Sequence, residues 1–190
     1  MSRVSLGSAG VLATAVTCAA PLVVFASVTS LVPARTGGFG EMTCHQCHSN
    51  NPLNDLAGRL ALTGVPDSYT PGQRYLITVV VARPQLVRAG FQLSARFESG
   101  DNAGTFHPSD DRVEAVPDDA GRITYAQHSP TGADAAAPGE GTWTLEWTAP
   151  PATLQVVFHL AANAANGDGL SRGDFIYTAT AASRPAAAPR

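Results

Sequence analysis

The strongest constraint on this 190-residue chain is a period of two. Phe91, Leu93, Ala95 and Phe97 alternate with Gln92, Ser94 and Arg96. This is the pattern of a strand whose successive side chains point to opposite faces, one apolar and one polar. Trp143, Leu145 and Trp147 repeat it, and Thr148-Ala149-Pro150-Pro151 ends that run. Arg74–Ala82 is a nearly continuous apolar and β-branched run behind the turn Tyr69-Thr70-Pro71-Gly72, and predicts a central strand covered on both faces. Further strands are expected over Arg122–His128, Leu154–Ala162 and Phe175–Ala181, with a short edge piece at Ala103–His107. That makes roughly seven to nine strands with links rich in the 18 glycines and 14 prolines, so the expected fold class is all-β, an antiparallel sandwich. The shared face of Trp143, Leu145 and Trp147 assigns both indoles to the core rather than to stacking on a sugar.

Before the strands lies Thr43-Cys44-His45-Gln46-Cys47-His48, two cysteines separated by two residues and followed at once by histidine. CxxCH is the attachment signature of c-type haem. Each thiol forms a thioether with one vinyl group, and the adjacent histidine sits under the iron. The reading is therefore one covalent haem c, with Cys44 and Cys47 as tethers and His48 as proximal iron ligand. A redox dithiol is the competing use of CxxC, but it lacks a βαβ context here. A zinc site drawn from Cys44, His45, Cys47 and His48 would crowd four ligands into five residues. The segment 35–58 around the motif is rich in Gly and Asn and non-periodic. It is expected as a loop with one helical turn over Cys44–Ser49, ordered by packing the haem against the strands C-terminal to it.

The motif supplies only one axial ligand. His45 is tied inside the attachment loop, and Met42, two residues before Cys44, is poorly placed to reach the opposite haem face. Parity puts His128 opposite Ile123 and Tyr125, on an outward face where the haem segment could lie, making it the first choice for distal ligand. His107, before Pro108-Ser109-Asp110-Asp111, is the alternative, and an open site is the third. His159 alternates against Val156, Phe158 and Leu160 and reads as a surface side chain. Asn166, Asp168 and Asp174 among glycines could offer oxygens to calcium, but without the EF-hand pattern they read as a turn.

Val4–Ala34 carries no charge behind Arg3, which reads as an export leader over 1–34 with small-residue cleavage sites after Ala26 or Ala34. The alternative is an uncleaved membrane anchor, since the apolar run is long enough to span a bilayer. Without the leader the chain keeps eleven arginines against fifteen Asp and Glu, a formal charge of −4, with Cys44 and Cys47 its only cysteines. No basic cluster is present to meet nucleic acid, and an acidic surface suits a basic redox partner. The expected compartment is periplasmic or secreted, with membrane contact only through an uncleaved leader. Residues 181–190, rich in Ala with Pro185 and Pro189, are expected as a disordered tail.

Several short stretches carry a resemblance to one family: Tyr69–Tyr75 (Tyr-Thr-Pro-Gly-Gln-Arg-Tyr), Gly90–Arg96, Ala103–Phe106, Tyr125–Ser129, Trp147–Pro150 and Asn163–Gly169. In these the chain resembles bacterial reelin-like (reeler) domain proteins, including a group in which a CxxCH segment precedes the domain. The resemblance implies an immunoglobulin-like sandwich over 59–180 and an interaction module without catalysis. A histidine like His128 also occurs in reeler domains without haem, which implies a structural role for it as readily as ligation. Members of the bacterial group often end in a C-terminal anchor, which this sequence lacks. No nucleophile elbow, paired-carboxylate motif or phosphate loop argues for an enzyme. The leading expectation is an exported monohaem c-type cytochrome that transfers electrons. The alternatives are an extracellular interaction module, or a haem-based ligand sensor or weak peroxidase.

Overall fold

The computed structural model describes residues 32–187, so the leader expected over 1–34 lies almost wholly outside the described residues. Ten strands are described: β1 Arg59–Thr63, β2 Ser68–Tyr69, β3 Arg74–Ala82, β4 Arg88–Phe97, β5 Thr105–Pro108, β6 Val113–Pro117, β7 Thr124–His128, β8 Glu140–Thr148, β9 Val156–Ala165 and β10 Phe175–Pro185. They form a four-stranded sheet in the order β1-β3-β8-β5 and a six-stranded sheet in the order β2-β10-β9-β4-β7-β6. Every pairing is antiparallel except the short parallel contact of β10 with β2. The fold is thus the all-β antiparallel sandwich that the alternation predicts. Among the described residues no helix is long and apolar enough to cross a membrane.

The core lies between the inner faces. Ile77, Val79 and Val81 of β3 meet Trp143, Leu145 and Trp147 of β8, and these face Phe91, Leu93, Phe158 and Leu160 of the second sheet. Trp147 stands edge-on to Phe158 at 4.9 Å and to Tyr69 at 5.8 Å, geometries that favour aromatic pairs. Both indole N–H groups are satisfied inside the core, Trp143 donating to Gly132 O and Trp147 to Ala103 O.

Three expectations need correction. β3 is covered on one face only: Leu76 on its other face is 59% exposed, because among the described residues no layer lies outside the four-stranded sheet there. β4 goes the other way, and its polar face is buried as completely as its apolar one, with Gln92 and Ser94 at 1% and 0% exposure. The strand also continues through 181–185, where a tail is expected, since Ala181 and Ser183 still pair with β9 and Arg184 with Ser68 of β2. Residues 188–190 lie outside the described residues.

Candidate functional site

What buries the polar face of β4 is the segment carrying CxxCH. Residues 32–43 lie across the outer face of the six-stranded sheet as a strap. The Arg35 amide donates to Gln92 Oε1 at 2.6 Å, and Gln92 Nε2 donates to Val32 O at 3.3 Å and to Gln127 Oε1 at 2.9 Å. Thr36 meets Ser94, and Phe39 stands edge-on to His159 at 5.2 Å. Gly38 rests on His159 so closely that a Cβ there would lie 2.3 Å from the imidazole, so only glycine fits. The strap is locked by Arg96, whose guanidinium bonds both the Glu41 carboxylate and the Tyr125 hydroxyl, while Tyr125 donates to Glu41 at 2.6 Å.

The strap turns back on itself between the bridged residues Thr36 and Thr43, then enters a 3-10 turn over Cys44–Gln46. Thr43 caps this turn. Its hydroxyl accepts from the His45 amide, and the Gln46 side chain accepts from the Thr43 amide at 2.7 Å, a reciprocal capping box. The one helical turn expected over the motif is therefore present, on its first three residues. His45 Nε2 lies 2.9 Å from Asn51 O, so this ring is spent on holding the loop closed. Both cysteines are free thiols, Cys44 half-buried and Cys47 exposed. Burial pushes the Cys44 thiol up to about 11. Redox CxxC sites depress one thiol, and Cys44 is shifted in the opposite direction.

His48 leaves the turn and points at the end of the sheet where β9 and β10 are joined. Its Nδ1 lies 2.7 Å from Oδ2 of Asp174, which is 1% exposed. A carboxylate only accepts, so Nδ1 is the donor in this contact. Metal-ligating histidines are oriented in just this way, by a carboxylate on the other ring nitrogen. Asp174 is itself fixed by Asn163 Nδ2 at 3.2 Å and the Asn166 amide at 3.3 Å, and Asn51 Nδ2 donates to its carbonyl at 2.9 Å. Asn163 Oδ1 is buried without a hydrogen-bond partner. The donor set is the kind a c-type haem takes: two free thiols separated by two residues, and one imidazole held at Nδ1 by a carboxylate. Among the described residues no cluster of three or more His, Cys, Asp or Glu is arranged to hold a lone metal ion.

The structure does not bring His128 or His107 to this site. Tyr125 and Gln127 face the strap, and Ala126 packs into the core, so the parity of β7 is the reverse of the expected one. His128 is enclosed where β4 and β7 part, its Nδ1 accepting from the Phe91 amide at 3.0 Å and its ring 6.4 Å from Trp143. Burial lowers its pKa. A Cβ on Gly90 would strike this ring at 2.3 Å. His107 belongs to edge strand β5 of the other sheet, with Nε2 2.9 Å from Thr148 Oγ1. His159 does point to the outer face, as alternation predicts, but it lies under the strap rather than in solvent. Burial, helped by the Arg96 cation, lowers its pKa.

Asp174 and Asn163 are the site residues that sequence reasoning does not assign. Asn163 carries a signal: it is a polar residue on the outward parity of β9. Asp174 appears in sequence only as a possible calcium donor. In the structure Asn166 and Asp168 of that loop bond each other in a turn with Gly167 and Gly169 at positive φ, while Asp174 faces His48.

No protein-family model matches the chain, and no curated protein does. Among solved structures, the Reelin-N domain of F-spondin is similar at 22% identity, covering 75% of this chain and 97% of that one with a TM-score of 0.48. A human F-spondin reeler domain matches at 23% identity over 71% of this chain and 96% of that one, TM-score 0.44. A cohesin module from a Clostridium perfringens family 33 glycoside hydrolase reaches the same TM-score as the first, 0.48, at 12% identity over 68% and 96%.

Proposed function

We propose that this chain is an exported monohaem c-type haem protein, with the haem held by Cys44 and Cys47 and ligated by His48. The observation that carries this reading is the His48–Asp174 pair: a buried carboxylate holds Nδ1, as at metal-ligating histidines, and Nε2 is the nitrogen that would ligate. Each cysteine S–H adds across one vinyl C=C, the sulfur bonding one carbon and the proton the other, so attachment consumes no oxidant or reductant. Bound haem would supply one-electron chemistry at its iron. The protein supplies a rigid platform, since the strap is fixed to β4, β7 and β9 by the Arg96–Glu41–Tyr125 and Gln92 contacts. A haem tethered at exposed Cys47 would be accessible to a partner, and the acidic balance of the chain favours a basic redox protein. The compartment would be periplasmic or extracellular, where c-type attachment and the leader both belong.

A second reading is an extracellular interaction module, which the resemblance to reeler domains implies. It is favoured by one observation: the strap's anchors are all protein groups, so CxxCH would serve only as the closing turn of that strap. One experiment separates the two. The full chain is produced with a c-type maturation system, and haem staining is recorded after denaturing electrophoresis, with Cys44→Ala/Cys47→Ala alongside. Stain in the first and none in the second is expected. An unstained wild type that is folded and secreted leaves the interaction module.

A further inference from the structure

We infer that Asn166 and Gly167 form a self-modifying pair: in the folded protein the Gly167 amide nitrogen closes on the Asn166 side-chain carbonyl, and water then leaves a carboxylate where the amide stood. Of the chain's asparagines only Asn166 precedes glycine. Glycine has no Cβ to shield its own nitrogen from such an approach.

The loop between β9 and β10 presents the reacting atoms. Asn166, Gly167 and Asp168 are exposed, and Gly167 has a φ of +80°. Asn166 Oδ1 reaches over Gly167 to accept from the Asp168 amide at 3.1 Å, which folds the side-chain carbonyl back toward the intervening nitrogen. The same Asp168 N–H meets the oxygen on which negative charge develops during attack. Among the described residues no hydrogen bond occupies the Gly167 amide. Asn163 is the contrast within the same stretch, since it is held in the β9 ladder and precedes Ala164.

The reaction needs only water. Hydroxide takes the Gly167 amide proton, the nitrogen bonds Cγ, and the Cγ–Nδ2 bond breaks with the leaving nitrogen taking a proton from water to depart as ammonia. The five-membered succinimide then adds one water at either carbonyl. One opening gives aspartate, and the other gives isoaspartate, whose backbone runs through the side chain and is longer by a methylene.

The product disturbs a loop that serves the His48 contact. Asn166 Nδ2 donates to Asp168 Oδ2 at 3.0 Å, and the Asn166 backbone amide donates to Asp174 Oδ1 at 3.3 Å. Modification removes the first donor and sets a new carboxylate beside Asp168 and close to Asp174. Like charges then face one another where Asp174 is held against His48, so the junction of motif and sandwich loosens.

The test ages the full chain, folded, in mildly alkaline buffer at body temperature. Beside it are aged Asn166→Ser, which keeps a hydroxyl for the Asp168 amide but has no side-chain amide to lose, and a synthetic peptide of residues 160–172. Trypsin releases residues 123–172 as one fragment holding both Asn163 and Asn166. Expected are an amide-to-acid mass gain at Asn166 alone, at a rate comparable to the peptide's, and an acidic species on ion exchange that Asn166→Ser does not form. The acidic species should unfold at lower urea than the unaged chain. A folded chain that stays unmodified while the peptide reacts, or a gain at Asn163, overturns the inference. An acidic species with an unchanged urea midpoint overturns its link to the His48 junction.

Discussion

The imidazole of His48 and the carboxylate of Asp174 lie 2.7 Å apart although 126 residues separate them in the chain. One sits on a loop too short to hold a core, the other at the entry to the last strand. Their contact joins the CxxCH motif to the sandwich.

Removing that carboxylate should be felt before any cofactor is added. Asp174 accepts hydrogen bonds from His48, Asn163 and the Asn166 amide in a buried setting, so Asp174→Ala is expected to lower stability by about 1–3 kcal/mol. Urea unfolding of the haem-free chain reads this. In haem-bearing protein, Asp174→Asn should keep the covalent stain and raise the reduction potential, because the anion that stabilises ferric iron through His48 is gone. An unchanged potential would mean that His48 is not the ligand.

The strap depends on one buried ion pair. Arg96 and Glu41 side chains are 7% and 10% exposed, and truncating one partner leaves the other charge without compensation. Glu41→Ala should therefore destabilise by about 3–5 kcal/mol and expose Arg35 to trypsin, whereas Arg96→Met with Glu41→Leu should be far milder. Equal losses in the single and double variants would contradict this account.

Gly38 tests the contact with His159. Gly38→Ala places a methyl against the imidazole and should cost about 1–3 kcal/mol, as overpacking does. Adding His159→Ala removes the obstacle, so the double variant should recover part of the loss. Thermal denaturation of the three proteins is sufficient.

Acid should weaken the fold through His128 and His159, both of which burial holds below the ordinary histidine range. The unfolded chain then binds more protons than the native one below about pH 6.5, so stability rises with pH in that window and falls on acidification. Between pH 7 and 5 the unfolding free energy should decline, and His128→Gln should flatten the slope. A slope identical in wild type and variant would remove His128 from the account.

The chain's local chemistry is legible in its sequence wherever neighbours along the chain decide it. The two-residue period of Phe91–Phe97 and of Trp143–Trp147 dictates strands and an apolar face. The CxxCH chemistry depends only on covalent spacing. Tertiary structure decided what those strands face. Gln92, Ser94 and Arg96 read as a solvent face, yet the strap buries them, because polar groups can be enclosed when a segment far off in sequence supplies their hydrogen bonds. The direction of His128 turned on β7 packing Ala126 inward and giving Tyr125 to Glu41, a choice that parity alone leaves open by one residue. Most of all, the pairing of His48 with Asp174 exists only because β9 and β10 bring their connecting loop beneath the motif. No local period encodes such a contact, since it is made by closing the chain over more than a hundred residues.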